Sequence, residues 1–557
     1  MVWSQNYDPL GIGWLSALLS ALPVIVLLGG LGIFHMRAHT AALAGLGTAL
    51  ILAIGVFGMP AQSAFAAAGF GAAYGLLPIG WIVLNIIFLY QLTNECGQFD
   101  ILRNSIAGIT RDSRLQLLLI AFCFGAFFEG AAGFGTPVAV TGAMLIGLGF
   151  TRLQASGLSL IANTAPVAFG ALGTPLVTLS AITGLPLLEL SAMVGRLMLI
   201  FCIIVPFWLM LAYCGWRRTL EVWPAVLVTG LTFGLAQLAI SNLHGPWLTA
   251  VGAALITIVV LVGFLHIWSP RSELQVNEAK LSKHDERPSG SAAIGIDPAT
   301  PLSPAVVRKA WAPWVILTGI VFFWGLPFVK STLDAVFKPS FAVPWLDGMV
   351  QRIPPVVAFP EIERASYSLN LLSATGTGIL LASVLGGLIL GMRPKHLAGT
   401  FWRSLKLVST SLLTIAAMLA LGYVTRFSGV DASMGLAFAS TGFLYPFFGT
   451  MLGWLGVAVT GSDTASNVLF GSLQKITSEQ LNLPPTLMAS ANSAGGVMGK
   501  MIDAQSIVVA STATKWIGAE GKILRYVAVH SIVLAILMGG LVMLFAYHPL
   551  FATWVVR

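Results

Sequence analysis

FFEGAAGFGTPVAV, residues 127–140, sets a glutamate, three glycines and a proline inside an otherwise apolar run. An ionisable group at membrane depth is costly. Glycine weakens a helix and proline removes a backbone donor. Together they mark a place where an apolar helix is meant to break and to present polar groups. LSLIANTAPVAFGALGTPLVTL (158–179) follows, with Pro166, Gly170, Gly173 and Pro175 in the same role. Two later segments, VTGSDTASNVLFG (459–471) and ANSAGGVMGKMIDAQS (491–506), repeat the pattern, and all four are read as interrupted helices.

The surrounding chain is that of a membrane protein. Of its 557 residues, 57% are hydrophobic and 9% charged, against roughly a quarter charged in soluble domains. Mean hydropathy is +0.88. Runs such as 12–34, 41–59, 75–92, 191–213 and 532–546 suit helices crossing a hydrocarbon layer of about 30 Å. Alternating polar and apolar positions, the mark of a barrel, are lacking. The fold class expected is an all-α polytopic membrane protein with about 12–16 membrane segments, some of them re-entrant.

The net charge of +8 is spread over short loops, so it reads as a topology signal and not as a nucleic-acid surface. Basic residues cluster at Arg37, at Arg103, Arg111 and Arg114, at Arg217 and Arg218, through 271–309, and at Arg393 and Lys395. Loops at 58–62 and 242–246 carry none. Alternating spans between these loops put the N-terminus outside. MVWSQNYDPL lacks the basic region of a cleavable signal. Cys96, Cys123, Cys202 and Cys214 lack metal-ligand spacing and read as packing residues.

An internal repeat runs through the chain at an offset of 329 residues: Thr48 and Thr377, Gly142 and Gly471, Asn163 and Asn492, Gly170 and Gly499, Arg196 and Arg525. Thr136 and Thr464 match at 328. The span after Arg114 runs outward while its partner near 434–455 runs inward, so the copies are inverted. The division expected is a first repeat at 1–215, a linking helix pair at 216–268, a polar cytoplasmic linker at 269–310 and a second repeat at 311–557. A proline-rich extracytoplasmic loop occupies about 330–368. Inverted repeats with broken helices are the architecture of secondary transporters, with the binding site near the bilayer midplane.

A broken helix exposes N–H groups at the positive end of its dipole, a ready site for a carboxylate. Thr136, Asn163, Thr164, Ser462, Thr464, Ser466, Asn467, Asn492 and Ser493 lie beside the breaks and supply hydrogen bonds for a small anion bearing a hydroxyl or keto group. Each also suits ordinary close packing of membrane helices. Glu129, Asp463 and Asp503 are the carboxyls placed to carry a proton. Lys500 either holds the substrate carboxylate, neutralises Asp463, or forms a static pair with an aspartate. His530 reads as a hydrogen-bonded packing residue, and Arg196 and Arg525 as interfacial. No Walker-type loop, nucleophile–base pair or metal-ligand set occurs, so the chain reads as neither an ATP-driven pump nor an enzyme, and no cofactor is called for.

FCFGAFFEGAAGFGTPVAVT, LIANTAPVAFGALGTP, WSQNYDP, GWLGVAVTGSDTASNVLF and ANSAGGVMGKMIDAQSI closely resemble the bacterial L-lactate permease family, which includes glycolate permeases. The resemblance covers nearly the whole chain. It implies proton symport of L-lactate, D-lactate and glycolate across the bacterial inner membrane. The residues alone leave a sodium-coupled carboxylate carrier and a passive anion channel open.

Overall fold

Inside a hydrocarbon layer a backbone must satisfy its own N–H and C=O groups, which makes helices the way across for these apolar runs. The computed structural model describes residues 2–556 apart from 33, 35, 108, 134, 275–302 and 358. Among the described residues, eleven helices are long and apolar enough to span a membrane, with three shorter apolar helices besides. The chain is an all-α polytopic membrane protein, as its composition predicts.

The first half holds α1 (Gly13–Leu31), α2 (Ala38–Gly55), α3 (Ala61–Glu95), α4 (Ser113–Ala131), α5 (Thr136–Gly147), α6 (Arg152–Ala162), α7 (Thr174–Thr183) and α8 (Leu187–Glu221). A pair, α9 (Trp223–Leu243) and α10 (Thr249–Ile267), follows. After α11 (Pro304–Gly325), the second half runs through α12 (Thr375–Ile389), α13 (Pro394–Ser428), α14 (Tyr445–Thr460) and α15 (Asp463–Gln480). It ends with α16 (Pro485–Gly499), α17 (Ala504–Ala513) and α18 (Glu520–Tyr547).

Moved along by the sequence offset, α2 through α8 fall on α12 through α18 in order. Contacts between the halves come in swapped pairs. α3 packs on α12 as α13 packs on α2; α5 on α17 as α15 on α7; α8 on α16 as α18 on α6. α3 and α13, counterparts of each other, pack together. Two copies related by a two-fold give this pattern, which is consistent with the inverted repeat expected from the charges.

The linker expected at 269–310 lies mostly outside the described residues. Its first residues are held: Arg114, fully buried, pairs with Asp112 at 2.7 Å and with Glu221 at 2.7 Å, and donates to the Ser272 carbonyl at 2.6 Å. Its far end is already helical, since α11 begins at Pro304 behind the capping Ser303. The loop at about 330–368 carries strands β2 (Ser340–Ala342), β3 (Val350–Arg352), β4 (Glu361–Glu363) and β5 (Ser366–Ser368). β1 (Trp3–Ser4) pairs parallel with β3, β3 antiparallel with β4, and β2 antiparallel with β5.

Arg196, expected to be interfacial, donates to Asn242 at 3.1 Å and to the Trp554 carbonyl at 2.7 Å. One departure from the sequence reading has a packing cause. The glycines of ANSAGGVMG do not break a helix, since α16 runs unbroken through them to Gly499. They lie against the backbone of α14: a methyl built on Gly495 or Gly499 would collide with the Thr450 or Trp454 carbonyl, and one built on Gly453 with the Asn492 carbonyl. Small residues at this spacing let helix backbones touch, a membrane packing device that composition alone cannot tell from a break.

Candidate functional site

All four expected interruptions fall inside the segments the sequence marked. α4 ends at Ala131, and α5 restarts at Thr136 behind Gly135 (φ +81°) with Pro137 in its first turn. α6 ends at Ala162, and the chain turns through Gly170 (φ +46°) and Gly173 (φ +79°) before α7. Gly173 must remain glycine for a second reason: an added Cβ would strike Pro246. α14 ends at Gly461 (φ +71°), and Ser462 caps α15 by accepting the Ala465 N–H at 3.2 Å. The fourth falls at 500–503, past the glycines of the 491–506 segment, where Asp503 caps α17 by accepting the Ser506 N–H at 2.7 Å.

These ends meet. The tips of α7 and α15, the last turn of α4 and the α16–α17 turn surround a cavity of about 170 Å³. That is room for a few waters or one small organic acid. Its opposite wall is apolar, from α1, α3 and α13, through residues such as Leu27, Val83 and Met418. α4, which brings Glu129, is 94% buried, against 28–61% for the other long helices, so the site is built around the best-enclosed span of the molecule.

Glu129, Asp463, Lys500, Ser462 and Thr464 line the cavity, five of the residues singled out from the sequence. Glu129 Oε2 accepts from Asn163 Nδ2 at 3.0 Å, so Asn163 stands behind the carboxylate rather than in the cavity wall. Lys500 Nζ donates to the Gly461 carbonyl at 2.5 Å and pairs with Asp503 at 3.6 Å. Its aspartate partner is thus Asp503 and not Asp463, and it staples the turn before α15 to the cap of α17. Asp463 accepts at Oδ2 from Ser493 and from Asn467 at 3.5 Å.

The remaining expected residues are not among those lining the cavity and bond within the structure around it. Thr164 Oγ1 donates to the Ile161 carbonyl. Ser466 donates to the Gly453 carbonyl at 3.2 Å. Asn492 donates to Asn467 Oδ1 at 2.9 Å from inside α16, not from a frayed tip. Thr136 starts α5 and is not among the cavity-lining residues. Its place is taken by Thr174, which the sequence reading passed over although Gly173-Thr174-Pro175 repeats Gly135-Thr136-Pro137. Gln505, and Ser411 and Thr414 of α13, also reach the cavity with no motif to mark them. His530 accepts from Trp208 Nε1 at 3.0 Å, the packing role expected of it. All four cysteines are free, and no group of metal-ligating side chains occurs among the described residues.

The electrostatics of the site are unbalanced. Fully ionised, Glu129, Asp463 and Asp503 set three negative charges against the single positive charge of Lys500 in a buried space. Uncompensated charge there is costly unless it is paired or neutralised. The tip of α7 offers the opposite: the positive end of a helix dipole with no side-chain cap, although the Gly173 and Thr174 N–H groups already donate to the Phe169 and Ala171 carbonyls and Pro175 has none.

Residues 16–550 match the family model described as L-lactate permease. The chain is 42% identical to the glycolate permease GlcA of Escherichia coli strain K12 over 559 residues, 98% of each chain. It is also 42% identical to the L-lactate permease of Bacillus subtilis strain 168 over 573 residues, all of both chains. Among solved structures, Neisseria gonorrhoeae MtrF matches at 12% identity and a TM-score of 0.48 over 94% of this chain and 97% of that one.

Proposed function

The chain belongs to the L-lactate permease family, and from that premise we propose that it is a secondary transporter that imports L-lactate, D-lactate and glycolate with a proton across the bacterial inner membrane. The observation that carries the reading is the convergence of Glu129, Asp463, Lys500 and the uncapped tip of α7 on one cavity of about 170 Å³. The positive end of that helix, with the hydroxyls of Thr174 and Thr464, holds the substrate carboxylate and hydroxyl. A carboxylate entering beside two carboxylates adds a like charge in a low-dielectric space, so its binding calls for a proton on Glu129 or Asp463. Anion and proton together carry no net charge, and uptake then follows the pH gradient and responds little to voltage.

The test is uptake into proteoliposomes under imposed gradients. Accumulation of labelled lactate driven by an inward proton gradient, and indifferent to sodium, is expected. Drive by sodium alone would make it the sodium-coupled carrier, and mere equilibration with the membrane potential would make it a channel. Competition by glycolate, pyruvate and acetate defines the substrate range. A single methyl group is worth only about 1–3 kcal/mol in a pocket, so glycolate should compete with lactate.

A further inference from the structure

Behind Asp463 lies a hydrogen-bonded chain with no counterpart in the first half. Tyr445 Oη donates to Gln474 Oε1 at 2.7 Å. Gln474 Nε2 donates to the Gly449 carbonyl at 2.6 Å and to Asn492 Oδ1 at 3.3 Å. Asn492 Nδ2 donates to Asn467 Oδ1 at 2.9 Å, and Asn467 Nδ2 donates to Asp463 Oδ2 at 3.5 Å and to the Pro175 carbonyl at 3.2 Å. Every member is buried. Every link points its donor toward the aspartate. At the 329-residue offset the first half has Gln116, Leu145 and Val138 where the second has Tyr445, Gln474 and Asn467, so the chain belongs to one copy only.

The two carboxylate oxygens of Asp463 are consequently unlike. Oδ2 receives Ser493 and Asn467, whereas Oδ1 has no hydrogen-bond partner among the described residues and abuts Gly496, where a methyl group would collide with it. A proton cannot be added where two donors already point.

We propose that the Tyr445–Gln474–Asn492–Asn467 chain is a positioning device that holds Asp463 with Oδ2 saturated and Oδ1 free, so that the transported proton is taken up and released at Oδ1. The proposal rests on the reading of Asp463 as a proton site. It removes Asn467 and Asn492 from the substrate-binding set and gives them to the proton. Donors favour the ionised carboxylate, so each donor withdrawn makes the proton harder to release. The charged groups facing Asp463 are Lys500 of the α16–α17 turn, itself paired with Asp503, and Glu129 from α4.

The experiment is the pH profile of lactate uptake by the full-length protein in proteoliposomes, for Tyr445→Phe and Asn492→Ala. The expected result is a half-maximal pH moved upward, by about one unit for Asn492→Ala and less for Tyr445→Phe, with KM at the acid end unchanged. A KM raised equally at every pH with the midpoint in place would return Asn492 to substrate binding and overturn the proposal. If Asn492→Ala fails to enter the membrane, Tyr445→Phe, which loses one oxygen atom, decides alone, and an unmoved midpoint there overturns the proposal too. Asp463→Asn separates the two levels: proton-driven uptake that survives it removes Asp463 from the proton path whatever the chain does.

Discussion

α7 starts behind Gly173, which has no side chain to cap it, whereas its repeat counterpart α17 starts behind Asp503, whose carboxylate accepts the Ser506 N–H. The same contrast separates α5, begun by Gly135, from α15, begun by Ser462. The second copy satisfies its own helix ends and carries Asp463, Lys500 and Asp503 among them. The first copy gives its helix ends no side-chain cap, and its carboxylate at the cavity, Glu129, sits on the incoming helix α4. Two copies of one fold have thus divided the work: uncapped helix dipoles for an anion on one side, titratable charge on the other. A two-fold arrangement supplies the geometry, and departures from the symmetry supply the chemistry.

The comparison can be broken at several points. The largest effect is expected for Glu129→Gln. It should abolish accumulation driven by a pH gradient while lactate exchange across the membrane continues, and normal accumulation would take Glu129 out of the proton path. Lys500→Met should cost about 3–5 kcal/mol, because Asp503 is left as a buried charge without its partner. A thermal melt in detergent reads the loss, and an unaltered melting point would mean that the staple between the second-copy tips carries no weight. Gly495→Ala should cost about 1–3 kcal/mol by driving α16 off the Thr450 carbonyl, and its melt should fall without any change in the pH profile of uptake. Gly173→Ala places a side chain at φ +79° and against Pro246, for about 1–2 kcal/mol. Because it disturbs the first-copy tip, KM for lactate should rise as well, and a KM unchanged beside a lowered melting point would move the anion site elsewhere. The smallest effect is expected for Ser462→Ala, about 1 kcal/mol for a lost cap, again read by melting.

Much of this was legible in the chain. Apolar run length fixed the helices, because nothing else satisfies the backbone in hydrocarbon, and the positive-φ turns at Gly135, Gly173 and Gly461 fell inside clusters that glycine and proline had marked. Glu129, Asp463 and Lys500 were conspicuous because ionisable groups are rare in such surroundings. Other features could not be read. Gly495 and Gly499 look like breaks but are contact points, since a glycine signals permission and only the neighbouring helix says which use is made of it. Thr136 and Thr174 share one local motif, and the tertiary packing alone placed Thr174 at the cavity. Ser411 and Thr414 sit in a long apolar helix and gain their meaning from the wall they face.

The sequence by itself determined that this protein lives in a bilayer, that its helices recur as two sets, and where they break. These follow from local properties: hydropathy, the missing donor of proline and the missing Cβ of glycine. The tertiary structure decided which broken ends meet, that Lys500 pairs with Asp503, and that one oxygen of Asp463 is saturated while the other is free. The meeting of the broken ends joins segments hundreds of residues apart, which no local pattern encodes; the Lys500–Asp503 pair and the bonds of Asp463 span 3 to 30 residues, and there the packing chooses among nearby partners.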